Sequence, residues 1–271
     1  MVDADTTQSG SRALLGSVRN AARVLRAFSH ADQELGVSEL ARRLGLGKST
    51  THRLVATLEA ERLLEQDQKT GKYRLGLALY ELGTTVTEHV DLHQASLPVL
   101  TTLRHRTGEM VHVAVLDGLE AVYVERLESH HMLPVFRRVG HRLPAHWTSS
   151  GKVLLAALPR VEQERRLKGA ALDARTSHTI TDHQALLREL DQVARQGWAS
   201  NVEEGELGVT SVGAPLRGAD GTVIAAVTVV GSSERIRAET LRPYRVAVLE
   251  AAAVISRRLG YRRRPGVGGT G

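Results

Sequence analysis

The side chains best suited to contact base pairs lie together in one short segment near the start of the chain. Arg53 can donate two parallel hydrogen bonds to a guanine edge, and His52 and Ser49 can donate or accept at base edges. Lys48 and Thr50 come just before or between them and suit contacts to phosphate oxygens. These residue types at this spacing predict a helix that lies in the major groove of double-stranded DNA.

Two helices around a tight turn must position these side chains. The first is predicted to begin at Ser38 as N-cap and to end at Gly45 as a left-handed C-cap. Only Leu46 and Gly47 separate it from the second helix, expected over about residues 48–62. The inward side of the second helix is predicted to carry Thr51, Leu54, Val55 and Leu58. So short a glycine-containing turn is typical of a helix-turn-helix.

Two flanking elements complete this predicted domain. Short strands at Leu64–Gln66 and Tyr73–Leu75 surround a polar turn and form a wing. Lys69, Lys72 and Arg74 of the wing can reach the DNA backbone or minor groove and add salt-dependent affinity. Each of them alone could equally be a solvated charge at a hairpin tip. An amphipathic helix is expected before the pair, with an apolar stripe of Val18, Ala21, Ala22, Leu25 and Phe28.

A second group of polar residues occupies the loop from Leu143 to Lys152, ahead of a helix expected at residues 153–158. Free backbone N–H groups at the start of a helix can hold a carboxylate, and Gly151 allows close approach. The hydroxyls of Ser149 and Ser150 can add donors. Either serine could instead serve only as the N-cap of that helix, so the sequence leaves both interpretations open.

The same segment also permits an enzyme. Ser149 and Lys152 have the S-x-x-K spacing of penicillin-recognising enzymes, and Lys69-Thr70-Gly71 matches their K-T-G element. The K-T-G element comes first in the chain, however, and the S-D-N element is absent, so a serine hydrolase is kept only as the alternative. Gly47-Lys48-Ser49 resembles the end of a phosphate-binding loop but lacks its earlier glycine and preceding strand.

Metal and cofactor chemistry find little support in the composition. His89 and His93 stand four residues apart, with Glu88 and Asp91 nearby, and could bind a metal ion. The chain has 12 histidines, so such a pair is expected by chance, and we interpret these residues as solvated. There is no cysteine, which excludes thiolate nucleophiles, disulfides and Cys-ligated zinc. We expect no metal and no cofactor.

The net charge of +6 is unevenly distributed along the 271 residues. Residues 1–76 carry +3, residues 77–250 carry −2, and residues 251–271 carry +5. Contact with DNA is therefore expected from the N-terminal part, with help from the Arg262–Arg264 tail or with that tail merely solvated. An aromatic content of 3% argues against a single-strand binder built on stacked rings.

A linker helix is expected over residues 77–90. Leu79, Leu82, Val86 and Val90 follow a nearly heptad spacing, which suits a dimer contact or packing on the helix's own domain. Two paired linkers would place two recognition helices on one face of the duplex, matching a pseudo-palindromic operator.

The rest of the chain is predicted to be α+β. Strands are expected at residues 111–117, 122–124, 209–217 and 222–230, with helices at 184–195 and 239–259. Antiparallel strands with helices at the sides suit a sensor domain. Residues 1–16 lack the apolar core of a signal peptide and are expected to be a disordered leader. No stretch is long enough to cross a membrane, so a cytoplasmic protein is expected.

Several segments together resemble the IclR family of bacterial transcriptional regulators. They include SVRNAARVLRAFS, GVSELARRLGLGKSTTHRLVATLEAERLL and VGHRLPAHWTSSGKVLLAALP, and the resemblance spans about residues 17–260. It implies a winged helix-turn-helix (17–76), the linker helix (77–90) and a GAF-like effector-binding domain (91–260), followed by a basic flexible tail (261–271). It further implies a homodimer or tetramer that controls a catabolic operon, most simply as a repressor.

The resemblance also implies an effector pocket whose occupant, a small organic-acid or aromatic metabolite, controls operator affinity. The family usually has a small residue where Trp147 stands here. The indole is expected either to fill part of the pocket or to stack on a ring in the effector. The predicted pocket residues are Leu143, Trp147, Ser149, Ser150, Gly151, Asn201, Ser211 and Thr228.

Overall fold

The computed structural model describes residues 15–29, 32–88, 92–129, 140–237 and 239–262, with only the backbone described for 84–88. The chain divides into two compact units between residues 89 and 90. Most of the predicted leader (1–16) and tail (261–271) lies outside the described residues, as does Val90 of the predicted linker seam. Within the described ranges, no helix is long and apolar enough to span a bilayer.

The N-terminal unit is a helix-turn-helix with a two-stranded wing. Its elements are α1 (Gly16–Arg26), α2 (Val37–Leu44), α3 (Lys48–Ala60), β1 (Leu64–Gln66), β2 (Tyr73–Leu75) and α4 (Ala78–Glu88). Gly45 closes α2 with a left-handed φ of 65°, as predicted. The two wing strands pair antiparallel with the predicted bounds, and Leu35 adds an isolated bridge to Tyr73.

Two details of this unit differ from the prediction. Val18 and Ala22 are exposed, and the side of α1 that packs on the core is centred on Val24, which is fully buried. The N-cap of α2 is Gly36, and Ser38 lies inside the helix without a capping role, because the helix begins two residues earlier than predicted. The core of the unit consists of Val24, Phe28, Leu35, Leu40, Val55, Leu58, Leu64 and Tyr73.

The C-terminal unit is built on one six-stranded antiparallel sheet of order β5-β4-β3-β8-β7-β6. Its strands are β3 (Met110–Asp117), β4 (Glu120–Leu127), β5 (Arg142–Pro144), β6 (Ala199–Val202), β7 (Val209–Arg217) and β8 (Val223–Ser232). Its helices are α5 (Leu92–Thr107), α6 (Ser149–Ala156), α7 (Arg160–Leu167), α8 (His183–Gln196) and α9 (Leu241–Arg258). A single 3-10 turn, Ala145–Trp147, precedes α6. This confirms the α+β fold.

The two faces of the sheet differ in what covers them. Side chains alternate along a strand, so Val111 and Val113 face the main apolar core under α5 and α9. His112 lies between them and points to the opposite face, where it stands beside Thr228 of β8 in the strand register. That opposite face is covered by α6 and α8, whose apolar residues form separate, smaller clusters. Polar residues of the sheet are therefore gathered on the α6 side.

Candidate functional site

The exposed face of α3 carries the residues predicted to contact DNA. Ser49, His52 and Arg53 are exposed, whereas Thr51 and Val55 on the opposite side have no exposed surface. Lys48 and Thr50, in the first turn, are exposed as well. Because the buried residues fix the rotation of α3 about its axis, these five polar side chains point outward.

The tip of the wing is held by a carboxylate. Asp67 accepts hydrogen bonds from the backbone N–H groups of Lys69 at 2.7 Å and Thr70 at 2.9 Å, which lower its pKa, the bond from Thr70 most. Lys69 and Lys72 are exposed at this tip. Arg74 is also exposed, but its Nη2 and Nε donate to the Glu65 carboxylate at 3.0 and 3.2 Å, so its charge is already partly neutralised.

The start of α6 differs from the prediction. The helix begins at Ser149 rather than at residue 153, because Thr148 is its N-cap and its Oγ1 accepts a hydrogen bond from the Gly151 N–H at 3.0 Å. The interpretation of Ser149 or Ser150 as the N-cap is therefore wrong. Both serines lie in the first turn of α6, almost fully buried.

A cavity lies between this first turn and the polar face of the sheet. Six of the eight predicted effector residues line it, namely Leu143, Trp147, Ser149, Ser150, Asn201 and Ser211. Gly151 and Thr228 are not among its lining residues. Gly151 instead lies against the 3-10 turn, where an added Cβ would be 2.3 Å from the Ala145 carbonyl oxygen. Thr228 Oγ1 lies against β7, 3.0 Å from the position of a Cβ added to Gly213.

Strands supply further lining residues that sequence reasoning did not assign to the site. They include Met110, His112, Tyr123, Arg126, Val209 and Val230. The only sequence signal for them was the alternation of side chains along β3. His112 stands between apolar residues there and points to the face away from the main core.

Burial keeps the cavity's titratable rings neutral. It lowers the pKa of His112 to about 3, with a smaller contribution from the nearby Arg126 charge, and it raises the pKa of Tyr123 to about 12. The two rings meet edge to face with centroids 4.4 Å apart. Ser149 Oγ and Ser211 Oγ share a hydrogen bond of 2.8 Å. The lining thus combines neutral hydrogen-bonding groups with the carboxylate of Glu206 and the guanidinium of Arg126, which pairs with Glu128 at 2.9 Å.

Lys152 has a structural partner instead of a catalytic one. Its buried Nζ donates to Glu204 Oε1 at 2.7 Å and to Glu189 Oε1 at 3.3 Å. Burial raises the pKa of Glu204 despite the adjacent ammonium group. A lysine that activates a serine must be free to accept its proton, and the Ser149 hydroxyl is bonded to Ser211 instead. The hydrolase alternative is unsupported by this arrangement.

Of the suggested histidine pair, only His93 belongs to the described residues with its side chain. Its Nδ1 is 2.6 Å from Glu125 Oε1. His89, Asp91 and the side chain of Glu88 lie outside the described residues. Across the described part of the chain, no group of three or more His, Asp or Glu residues is arranged to hold a metal ion.

Both units of the chain match known protein families. Residues 17–68 match the IclR helix-turn-helix domain, and residues 84–257 match the C-terminal domain of the bacterial transcriptional regulator IclR. The HTH-type transcriptional regulator XynR of Escherichia coli (strain K12) is 36% identical over 92% of this chain and 98% of its own. KdgR, an HTH-type transcriptional regulator of the same strain, is 34% identical over 86% of this chain and 89% of its own.

A solved structure shares the fold over nearly the whole chain. The crystal structure of an IclR homologue from Microbacterium hydrocarbonoxydans, complexed with 4-hydroxybenzoate, superposes with a TM-score of 0.80 at 32% identity. The match covers 90% of this chain and 99% of that one. With family models matching both units and relatives aligned along almost their full length, this chain belongs to the IclR family of bacterial transcriptional regulators.

Proposed function

We propose that this regulator represses a catabolic operon and leaves its operator when a small organic acid or aromatic metabolite fills the cavity beneath α6. The observation that carries the proposal is the cavity itself, in which buried polar groups of α6 and the sheet converge. Buried polar groups without hydrogen-bond partners cost free energy, and a ligand that bonds to them removes this cost. The exposed polar face of α3 supports the DNA-binding half of the proposal.

For DNA recognition, Arg53 and His52 are proposed to contact base edges, with Ser49 beside them. Lys48 and Thr50 would contact phosphates near the start of α3, and Lys69 and Lys72 would do so from the wing. Among the described residues Arg53 has no ion-pair partner, so its guanidinium is available to a guanine.

For the effector, the first turn of α6 supports a carboxylate site. The first N–H groups of a helix have no intrahelical acceptor, and here those of Ser149 and Ser150 precede the one that Thr148 caps. The Ser149–Ser211 hydroxyl pair adds donors on the sheet side, and Arg126, which pairs with Glu128, adds a positive charge there. The Microbacterium relative is complexed with 4-hydroxybenzoate, whose carboxylate supports a carboxylic acid as the class of effector.

The coupling we propose is a shift between two states of a homodimer or tetramer. An effector that binds the DNA-free state tenfold more tightly than the DNA-bound state weakens operator affinity by the same factor, about 1.4 kcal/mol. Paired linker helices would set the spacing of the two recognition helices on a pseudo-palindromic operator.

Operator binding tests the DNA-binding half directly. Fluorescence anisotropy with the promoter fragment beside the gene should show a loss of about 1–3 kcal/mol in binding free energy for Arg53→Ala. His52→Ala should also weaken binding. Arg188→Ala removes the same charge from the exposed side of α8 and should bind like wild type. Unchanged affinity in both α3 variants would refute the assignment of the recognition helix.

A thermal-shift screen of aliphatic and aromatic acids tests the effector half. A ligand that binds only the folded protein raises its melting temperature, and the same compound should release the operator. Ser149→Ala should reduce both effects. A compound that releases the operator equally well from the Ser149→Ala protein would show that the effector binds elsewhere.

A further inference from the structure

The cavity beneath α6 is small, and the indole of Trp147 forms part of its wall. Its volume is about 30 Å³, which holds about one or two water molecules. Trp147, half-buried at the end of the 3-10 turn, is among the lining residues. An engineered apolar cavity that binds benzene measures about 150 Å³. The space present is therefore far too small for an aromatic ring while the indole stays in place.

Trp147 is held between two parts of the unit. On one side its ring lies 5.3 Å from the ring of buried His146, whose Nε2 is 3.2 Å from the Asp173 carbonyl oxygen. On the other side lies the loop 203–208, where a Cβ added to Gly205 would stand 3.5 Å from Trp147 Cδ1.

The loop against the indole is itself fixed. The Glu204 N–H donates to Asn201 Oδ1 at 2.8 Å, and the Glu204 carboxylate accepts from buried Lys152 of α6 at 2.7 Å. Moving the indole out through this side would disturb a buried ion pair, which is unfavourable. The contacts therefore keep the ring in the cavity.

The polar atom of the same side chain is unsatisfied. Trp147 Nε1 is buried and has no hydrogen-bond acceptor among the described residues. A buried donor is normally paired, and one that is left open beside a cavity points to an acceptor brought by a ligand. A carboxylate oxygen is such an acceptor and is the group already favoured by the Ser149 and Ser211 hydroxyls.

We propose that Trp147 determines which acids this regulator senses. Its indole restricts the cavity to a short aliphatic acid and excludes a benzene ring, and its Nε1 donates a hydrogen bond to the bound carboxylate. The inference rests on the proposed effector site and narrows its ligand class.

Calorimetric titration of the full-length protein with acetate, glycolate, L-lactate, benzoate and 4-hydroxybenzoate tests the proposal. Wild type should bind at least one aliphatic acid, and both aromatic acids at least about tenfold more weakly. Trp147→Ala should reverse that order, since truncation opens room for a ring. Trp147→Phe should still exclude the aromatic acids but bind the aliphatic acid up to about tenfold more weakly, because the donor is lost.

A spectroscopic readout separates ligand contact from a purely structural role. The chain has two tryptophans, so Trp147 is the only one in a Trp198→Phe background. The aliphatic acid that binds should change its emission. Should Trp147→Ala fail to fold, as judged by its melting curve and operator binding, Trp147→Leu replaces it with the same expected reversal.

Two results would overturn the proposal while leaving the proposed function intact. One is wild type binding 4-hydroxybenzoate as tightly as Trp147→Ala, and the other is a Trp147→Ala protein that binds the acids in the same order as wild type. If no acid binds either wild type or Trp147→Ala while both bind the operator, the effector site itself is wrong and the inference falls with it.

Discussion

His112 shows how burial sets the chemistry of a single side chain at this site. It lies on the cavity face of β3, beside Tyr123, and burial makes its imidazole hard to protonate. Its ring therefore offers the cavity one donor and one acceptor at neutral pH. Because His112 is neutral, it adds no positive charge to that of Arg126 for a ligand in the cavity.

This burial predicts how stability depends on pH. The pKa of His112 is about 3 in the folded chain and about 6.5 when unfolded, so below pH 6.5 only the unfolded state takes up this proton. The contribution of His112 is thus fully present above pH 6.5 and is lost as the pH falls toward 3. His112→Phe should make the unfolding free energy fall less steeply between these values, by up to about 1.4 kcal/mol per pH unit.

Urea denaturation at a series of pH values measures this slope. Tyr123→Phe is the matched control, since the phenol, with its pKa of about 12, does not titrate in that range. It should retain the wild-type slope. A His112→Phe protein with the wild-type slope would show that His112 is protonated in the folded state.

At the level of single residues, the sequence identified the polar α6 segment but not the strand residues of the cavity. Ser149 and Ser150 were recognisable as candidates because hydroxyls beside a helix start either cap the helix or donate to a ligand. His112 and Arg126 were not, because their side chains meet the cavity only through the pairing of β3 with β8 and β4. Gly151 was assigned to ligand binding, whereas its lack of a side chain is needed by a packing contact.

Helix α6 depends on that packing contact. Gly151→Ala would place a methyl group 2.3 Å from the Ala145 backbone, and overpacking of this kind costs about 1–3 kcal/mol or more. Gly83 of α4 is the matched control, because an added Cβ meets nothing within 4 Å. Gly83→Ala should therefore stabilise its helix by up to about 1 kcal/mol.

Chemical denaturation followed by circular dichroism distinguishes the two glycines. The Gly151→Ala protein should also lose response to any acid that binds wild type, since the first turn of α6 would shift. A Gly151→Ala protein as stable as wild type would mean that α6 can move away from the 3-10 turn without cost.

Helices and strands could be predicted from the sequence where a regular side-chain pattern ends at a recognisable turn. The wing strands and β7 have the predicted bounds, because alternating side chains end at glycine-containing turns. Helix α5 was not predicted as an element, and Pro98 inside it is the kind of residue that ends a helix in sequence rules. Strands β5 and β6, of 3 and 4 residues, are too short to show a period.

The wing offers a test of electrostatic contact that does not depend on the operator sequence. If Lys69 and Lys72 each contact a phosphate, Lys69→Ala/Lys72→Ala should lower the slope of log affinity against log salt by about 0.9 per contact. Arg74→Ala should change it less, because Arg74 is bound to Glu65. Anisotropy titrations at several salt concentrations give the slopes, and identical slopes for all three proteins would remove the wing from the interface.

For the whole molecule, the distribution of charge agrees with a division of labour between the units. The N-terminal 76 residues are basic, whereas residues 77–250 are slightly acidic. Within residues 90–250 of the larger unit, 19 basic and 19 acidic residues cancel, so this part has no net attraction to the phosphate backbone and would influence binding through the linker. For the linker to regulate DNA binding, it must connect the DNA-binding units of at least two copies of the chain.

The linker region exposes apolar surface that assembly would cover. Leu77 and Tyr80, three residues apart at the start of α4, are 67% and 70% exposed. Adjacent exposed apolar side chains of this size favour a protein contact.

If a second copy of α4 packs there, Tyr80→Glu should place a charge in the interface and shift the protein toward monomer. It should also weaken operator binding, because the two DNA-binding units that contact the two half-sites are no longer held together. Val161→Glu, at an equally exposed apolar position on α7, is the control. Sedimentation equilibrium and anisotropy measure both effects, and a Tyr80→Glu protein with wild-type mass and operator affinity would place the subunit contact elsewhere.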